Sequence, residues 1–447
     1  MERLVGIIIA LLALSIMMLI HELGHFIVGR KLGFKIDELM IFMGPVVWQT
    51  ERKGIRYTLR LFPIGAAVQF AGEYEQADES EAGLAVAGGV TPPPKDPALF
   101  MNRPKRYRAA VLAAGSLANI LSGILIFFLL FATTGYTIPV LNTVEAGTQA
   151  ADAGLQAGDE IIRLAGERIY TSADASLALY FAGSDSDGIS ITVRRDGQEI
   201  EALLTPVLST VYQVGISTQT TTDGRLEVVE ISSWQNGGDP VFEEGDIILK
   251  VGDTEVTLDN FATELAPYQG AAAPITVFRQ GQEQVIYSTS KAVATANSTG
   301  LALTVSHNVL RALPYSFQYG WSTIRGSFQA IGALISGKIA ASDALSGPVG
   351  IVSMISDVVV ESRINWGEKF LELLNMIALI SLSLGFTNLL PIPLLDGNHL
   401  LLLAVEAIRG KALSAKVRNV ISAIGLVIII FLFAYGLYLD IGRILQG

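Results

Sequence analysis

His21-Glu22-Leu23-Gly24-His25 closes an apolar run, Leu4 to Ile20, that carries no charge. A run of that length crosses a bilayer as a helix, so two imidazoles and a carboxylate lie at or just inside the membrane edge. Ionisable groups at such a depth are costly and mark functional sites. Residues four apart lie ~40° apart around a helix axis, so His21 and His25 share one face. Two neutral imidazoles so placed bind one zinc ion together, with Glu22 in reach of the metal's water as general base. Two competing readings are a helix end with snorkelling polar residues and a secretory signal peptide that begins at Arg3. Against the second, no small-residue cleavage site follows, and Gly24, Gly29 and Gly33 stand isolated among bulky neighbours.

Composition narrows the class. Of 447 residues, 51% are hydrophobic and 16% charged, which describes a protein that is part membrane and part soluble. A net charge of −11 argues against nucleic acid as a partner. The chain has no cysteine, which excludes disulfides, thiolate zinc sites and cysteine nucleophiles; a zinc ion must be held by His, Asp, Glu and water.

Four stretches have the length and apolarity of membrane spans: 4–25, 109–133, 370–394 and 417–439. Basic residues cluster between the first two, from Arg30 to Arg108, and between the last two, at Arg409, Lys411, Lys416 and Arg418. The long stretch between the second and third spans is acidic. By the positive-inside rule both termini and this long stretch lie outside, and the His-Glu motif sits at the cytoplasmic end of the first span. Residues 312–345 are moderately apolar, but a fifth crossing would reverse the last basic loop, so they read as an amphipathic helix on the outer surface. Residues 42–75 read as short strands in a hairpin that either dips into the membrane or packs beside the spans. Residues 76–99, with Pro92-Pro93-Pro94, read as a linker.

An internal repeat occupies residues 136–290. Gly158-Asp159-Glu160-Ile161-Ile162-Arg163-Leu164 matches Gly245-Asp246-Ile247-Ile248-Leu249-Lys250-Val251, and Val193-Arg194-Arg195-Asp196-Gly197 matches Val277-Phe278-Arg279-Gln280-Gly281. The offset is domain-sized. Each copy reads as short strands, a Gly-Asp turn and one helix, near 171–182 and 257–266, and the pair resembles two tandem PDZ domains. PDZ folds take an extended peptide onto a sheet edge; the candidate carboxylate-binding loops are Tyr136–Val140 and Tyr212–Ile216. The other reading of these domains is a steric gate.

A catalytic zinc needs a third protein ligand. The third span ends in Asn388-Leu389-Leu390-Pro391-Ile392-Pro393-Leu394-Leu395-Asp396-Gly397-Asn398-His399. Asp396 lies at the same leaflet as His21 and His25 and is the candidate ligand; its alternative role is to cap a helix over 397–408. His399 is the rival ligand, or a second-shell donor. Pro391 and Pro393 break the helix. Asn388 and Asn119, polar amides within spans, are candidates for contact with substrate or with the ligands, or for interhelical hydrogen bonding.

H-E-L-G-H on the first span, N-L-L-P-I-P-L-L-D-G-N-H on the third and the PDZ pair between them resemble the site-2 protease family, of the regulator-of-sigma-E protease type. The resemblance implies that His21, His25 and Asp396 bind one Zn2+ per chain and that Glu22 is the catalytic base. It also implies that Asn388, Pro391 and Pro393 contact substrate, and that residues 46–70 form a membrane-associated β-hairpin with an edge strand. It implies an intramembrane zinc metalloprotease of the bacterial cell membrane that cuts single-span proteins, such as an anti-sigma factor or a remnant signal peptide. The chain departs from the family at Ser116, where proline is usual, and at Asn398, where glycine is usual. The expected plan is a multi-pass α-helical membrane protein. Its first helix spans 1–30, a hairpin and linker 31–108, and the second helix 109–134. PDZ domains follow at 135–209 and 210–292, then an outer connector over 293–369. The third helix runs over 370–396, a cytoplasmic loop over 397–416, and the fourth helix with a tail over 417–447. The reading from another class is a non-catalytic receptor that holds exported peptide tails on its PDZ pair; zinc content separates the two.

Overall fold

Backbone amides without water must bond within their own segment, so apolar runs of membrane length form helices. Four helices here are long and apolar enough to cross a membrane: Arg3–Lys31, Lys105–Thr134, Trp366–Leu389 and Ala423–Gly442. They match the four expected spans. The computed structural model describes residues 2–72, 96–182, 188–221, 224–258, 260–339, 347–361, 365–411 and 413–446. Most of the expected linker, 76–99, lies outside the described residues. The chain divides into two units, one comprising Met1–Pro139, Arg168–Phe181 and Thr304–Gly447, the other Val140–Glu167 and Ala182–Leu303.

The first unit holds helices α1 (Glu2–Lys31), α2 (Lys105–Thr134), α3 (Ser172–Ala182), α4 (Val309–Ile335), α5 (Pro348–Val360), α6 (Trp366–Leu389), α7 (Asp396–Arg409) and α8 (Ala415–Gln446). Helix α2 is its axis and packs against α1, α4, α6 and α7. Lipid supplies no hydrophobic drive between helices, so small residues that let backbones meet carry the packing. Gly24 of α1 faces Ala114 and Ala118, and Gly385 of α6 faces Ser116 and Ile120; a Cβ at either would strike the opposing helix. Ser381 Oγ donates to the Asn119 carbonyl at 2.9 Å and lies 2.9 Å from Ser122 Oγ. Ile124, Phe127, Leu130, Ala378 and Leu382 form the core where α2 meets α6.

Helix α4 is the amphipathic helix expected within 312–345. Tyr315 and Tyr319 stack into Phe127, Phe131 and Tyr136, while Trp321 and Phe328 stay exposed. Its Arg325 and Ser322 bind the buried Asp174 of α3 at 2.7 and 2.8 Å. The apolar α5 has no counterpart in the sequence reading. Its start is held by Asp440 of α8, whose carboxylate accepts from Gly347 N at 3.0 Å and Gly350 N at 2.8 Å; a negative charge at a helix N-terminus interacts favourably with the helix dipole.

Between α1 and α2 run two long strands, β1 (Ile36–Arg52) and β2 (Ile55–Phe70). Each bends, so the hairpin folds back on itself. Residues 46–52 pair with 55–60, residues 38–41 pair with 56–59, and the same 38–41 pair on their other side with 66–69. Residues 66–70 are thus an edge. Phe26, Phe34, Ile36, Phe70, Phe100 and Val111 clamp this end of the sheet beneath α1. At the other end Met43, Val46, Val47, Trp48, Leu61, Phe62 and Ile64 are exposed together. Apolar surface of that extent marks contact with lipid or a partner.

The second unit shows the repeat in three dimensions. Strand β3 (Tyr136–Thr143) pairs with β4 (Glu160–Leu164), β4 with β5 (Ile189–Arg195) and β5 with β6 (Gln198–Leu204). In the second copy Leu226–Ile231, Ile247–Val251, Ala273–Arg279 and Gln282–Ser288 pair in the same order. Arg195 grips Asp159 through Nε at 2.7 Å and Nη2 at 2.6 Å. Arg279 grips Asp246 through the same atoms, both at 2.7 Å. Each aspartate also caps its own turn, from Gln156 N and from Glu243 N at 2.9 Å. The Gly-Asp turn of the sequence is therefore the anchor of a bidentate ion pair present in both copies.

Three expectations need correction. The third helix ends at Leu389, not at 396, because Pro391 and Pro393 supply no amide hydrogen to carry it on. The loop drawn over 397–416 is mostly helix, α7, which buries Gly397, Asn398, Leu403 and Glu406. Tyr136–Val140 is strand rather than loop, whereas a turn at Val214-Gly215 does separate the strands at Tyr212–Ile216.

The helices near 171–182 and 257–266 are found at Ser172–Ala182 and Phe261–Leu265. The hydrogen bonds from Arg195 hold the Asp159 carboxyl below the usual carboxylate range. The stability this pair contributes is complete above the unfolded carboxyl's pKa, about 3.9, and is lost as pH falls below it. Asp159→Asn should lower the urea midpoint of the second unit at pH 6, and the gap to wild type should narrow as pH is taken to 3.

Candidate active site

The structure brings His21, His25 and Asp396 together from the two ends of the sequence. His21 Nε2 lies 3.1 Å from His25 Nε2, and Asp396 Oδ2 lies 3.0 and 3.3 Å from them. Both histidines are 8% exposed. His25 Nδ1 is 2.7 Å from the Val111 carbonyl, which only accepts, so Nδ1 carries the proton and Nε2 presents a lone pair. Asp396 Oδ2 makes no hydrogen bond of acceptable geometry within this trio. The three atoms thus converge on a shared point. Edges of 3.0–3.3 Å match the ligand spacing of a tetrahedral zinc, about 3.3 Å for bonds of ~2.0 Å. Among the described residues this is the one such group of His, Asp and Glu donors.

Each side chain is placed by a different element. The helical turn puts His21 and His25 on the face of α1 that meets α2. Gly115 stands opposite: a Cβ there would overlap the Nε2 atoms of both imidazoles. The N-cap of α7 is Leu395 and Asp396 is the first residue inside the helix, so the aspartate does not occupy the cap position. Leu394, just before it, has φ of 75°, a left-handed conformation that costs a leucine free energy and that functional sites retain. The far end of α7 is braced against α2, where Lys105 Nζ donates to the Glu406 carbonyl at 2.7 Å and Arg108 Nη2 lies 4.0 Å from the Glu406 carboxylate.

Glu22, partly buried, accepts a hydrogen bond from Val68 N at 2.8 Å. Val68 belongs to the edge segment of β2, so the carboxylate is tied to the backbone of a strand whose outer side is unpaired with sheet. Asn388 is half-buried on the last turn of α6, and Pro391 is exposed while Pro393 is half-buried on the connection to α7. Pro393 packs against Gly425 of α8, where a Cβ would occupy the same space. His399 is exposed and stands outside the donor trio. Asn119 is fully buried, one turn beyond Gly115.

Sequence reasoning missed the Val68 amide, the Val111 carbonyl and the Glu406 brace. The first two are backbone groups, which no residue type reveals. For Glu406 the signal was present, as a lone acid between Val405 and Ala407 in an apolar stretch read as loop.

The model of Peptidase family M50 matches residues 9–432. A candidate zinc metalloprotease of Agrobacterium fabrum is 29% identical over 97% of this chain and 95% of its own length. Protease RseP of Yersinia pestis is 26% identical over 97% of this chain and 98% of its own. A candidate zinc metalloprotease of Clostridium acetobutylicum is 25% identical over 96% of this chain and 94% of its own.

Gly115→Val should force both imidazoles aside. The expected result is a folded protein, by circular dichroism, whose bound zinc falls well below that of wild type by atomic absorption.

Proposed function

Because the chain belongs to peptidase family M50, the site-2 protease family, and is a metalloendopeptidase, we propose that it cuts transmembrane segments of single-span proteins inside the bilayer, with one zinc ion per chain. The observation that carries this is the convergence of His21 and His25, on a membrane-length helix, with Asp396, at the end of the connection that follows another. The donor set, two imidazoles and a carboxylate without thiolate, is that of hydrolytic zinc sites with an open position. Bound there, zinc supplies Lewis acidity toward water and the scissile carbonyl.

Glu22 takes the proton of the attacking water and delivers it to the leaving nitrogen. The Val68 N–H fixes the orientation of its carboxylate. A substrate helix cannot be cut while its carbonyls are bonded internally, so it must unwind and find new partners. The outer side of residues 66–70, next to Glu22, offers a row of strand positions for that pairing. Asn388, on the last turn of α6, hydrogen-bonds the unwound backbone, and the connection through Pro391 and Pro393 stays non-helical beyond it. The apolar tip around Trp48 and Phe62 lies in lipid, as a membrane-associated hairpin.

The two copies of the second unit, with their shared strand order and Arg–Asp anchors, are PDZ domains outside the cytoplasm. They exclude substrates with bulky outer domains or hold exported tails. With the basic loops inside, the donor trio lies near the cytoplasmic leaflet of the bacterial inner membrane. Substrates of this description include a trimmed anti-sigma factor or a remnant signal peptide.

Two outcomes test this reading on purified enzyme with a trimmed single-span substrate. Glu22→Gln should abolish cleavage while zinc content stays at wild type; cleavage that persists would remove Glu22 from its role. Val68→Pro deletes one charge-assisted hydrogen bond at a sheet edge, where proline is tolerated. It should lower kcat about 10–100-fold with bound zinc unchanged.

A further inference from the structure

A zinc-binding imidazole is held in its tautomer and orientation by the partner of its other ring nitrogen. His25 has that partner in the Val111 carbonyl. His21 Nδ1 is buried and has none among the described residues. Helices α1 and α2 run antiparallel here: His25 reaches Val111, and Gly33, just past α1, sits beside Arg103, just before α2. Moving four residues back along α1, from His25 to His21, therefore means moving four forward along α2, from Val111 to Gly115. Gly115 has no side chain to offer. Side chains on a helix lean over the turn on their N-terminal side, so Asn119, one turn further along the same face, leans its carboxamide back toward this position. Asn119 is fully buried, and neither its Oδ1 nor its Nδ2 has a hydrogen-bond partner among the described residues. A buried amide with both ends unpaired demands an explanation, and the unpaired imidazole nitrogen one helix away supplies it.

We propose that Asn119 is a positioning residue for His21, accepting its Nδ1–H on the carboxamide oxygen, directly or through one water, so that the Nε2 lone pair faces the zinc. This rests on the zinc reading of His21, His25 and Asp396. It assigns the two histidines unlike supports: a main-chain carbonyl for one, which no substitution removes, and a side chain for the other.

The test is zinc affinity of the full chain in detergent, read by competition with a chromophoric chelator. Asn119→Leu keeps the volume and removes the acceptor; its zinc affinity should fall about 10–100-fold. Asn119→Asp keeps an acceptor and should bind zinc at least as tightly as wild type. Should the leucine variant fail to fold, Asn119→Ser against Asn119→Ala makes the same comparison of acceptor with none. Equal affinity in the leucine variant and wild type would overturn the proposal. So would equal weakening of the acceptor-bearing and acceptor-free variants, which is the mark of packing alone. A wild-type chain that holds no zinc would overturn the parent reading, and this one with it; a zinc-loaded wild type with an unaffected leucine variant overturns only this one.

Discussion

Two ring nitrogens and a carboxylate oxygen lie within 3.3 Å of one another; with the His21 tautomer proposed above all three present lone pairs and repel, and burial strips away the water that would otherwise separate them. Much of the helical unit is arranged to keep His21, His25 and Asp396 in that unfavourable proximity. The turn of α1 sets the two imidazoles side by side, and the Val111 carbonyl settles the tautomer of one. Gly115 leaves room for both rings against the neighbouring helix. The break after Leu389 and the left-handed Leu394 swing Asp396 back toward α1, and Glu406 pins the helix that follows. A cation between the three atoms turns this mutual repulsion into attraction, which is the physical content of the proposed zinc site.

The sheet answers a different demand. Peptide hydrolysis needs an extended backbone, and membranes favour helices. Folding β1 and β2 back on themselves places an edge segment beside Glu22, so the carboxylate proposed as base and the strand edge proposed for substrate lie side by side. The hydrogen bond from Val68 to Glu22 makes the link physical: the carboxylate cannot turn without leaving the strand.

Much of this was legible in residue types. Four apolar runs gave four helices, the spacing of His21 and His25 gave a shared face, and the need for a third ligand singled out Asp396 over His399. The Gly-Asp repeat predicted two related sheets before any coordinates. What stayed hidden was carried by main-chain atoms or by packing. No side chain announces that the Val68 amide or the Val111 carbonyl is engaged. The helix at 396–409 stood only as the alternative to a loop over 397–416, because four consecutive leucines, Leu400 to Leu403, show no helical period. The short apolar α5 was missed because its anchor, Asp440, lies far along the chain.

The contact between Pro393 and Gly425 has a consequence in time. Helix α8 donates nothing to the donor trio, yet it props the connection from which Asp396 hangs. A ribosome makes the chain from its N-terminus, so His21 and Glu22 enter the membrane long before that prop is synthesised. The surroundings of Asp396 are therefore complete only once the last helix has packed against Pro393.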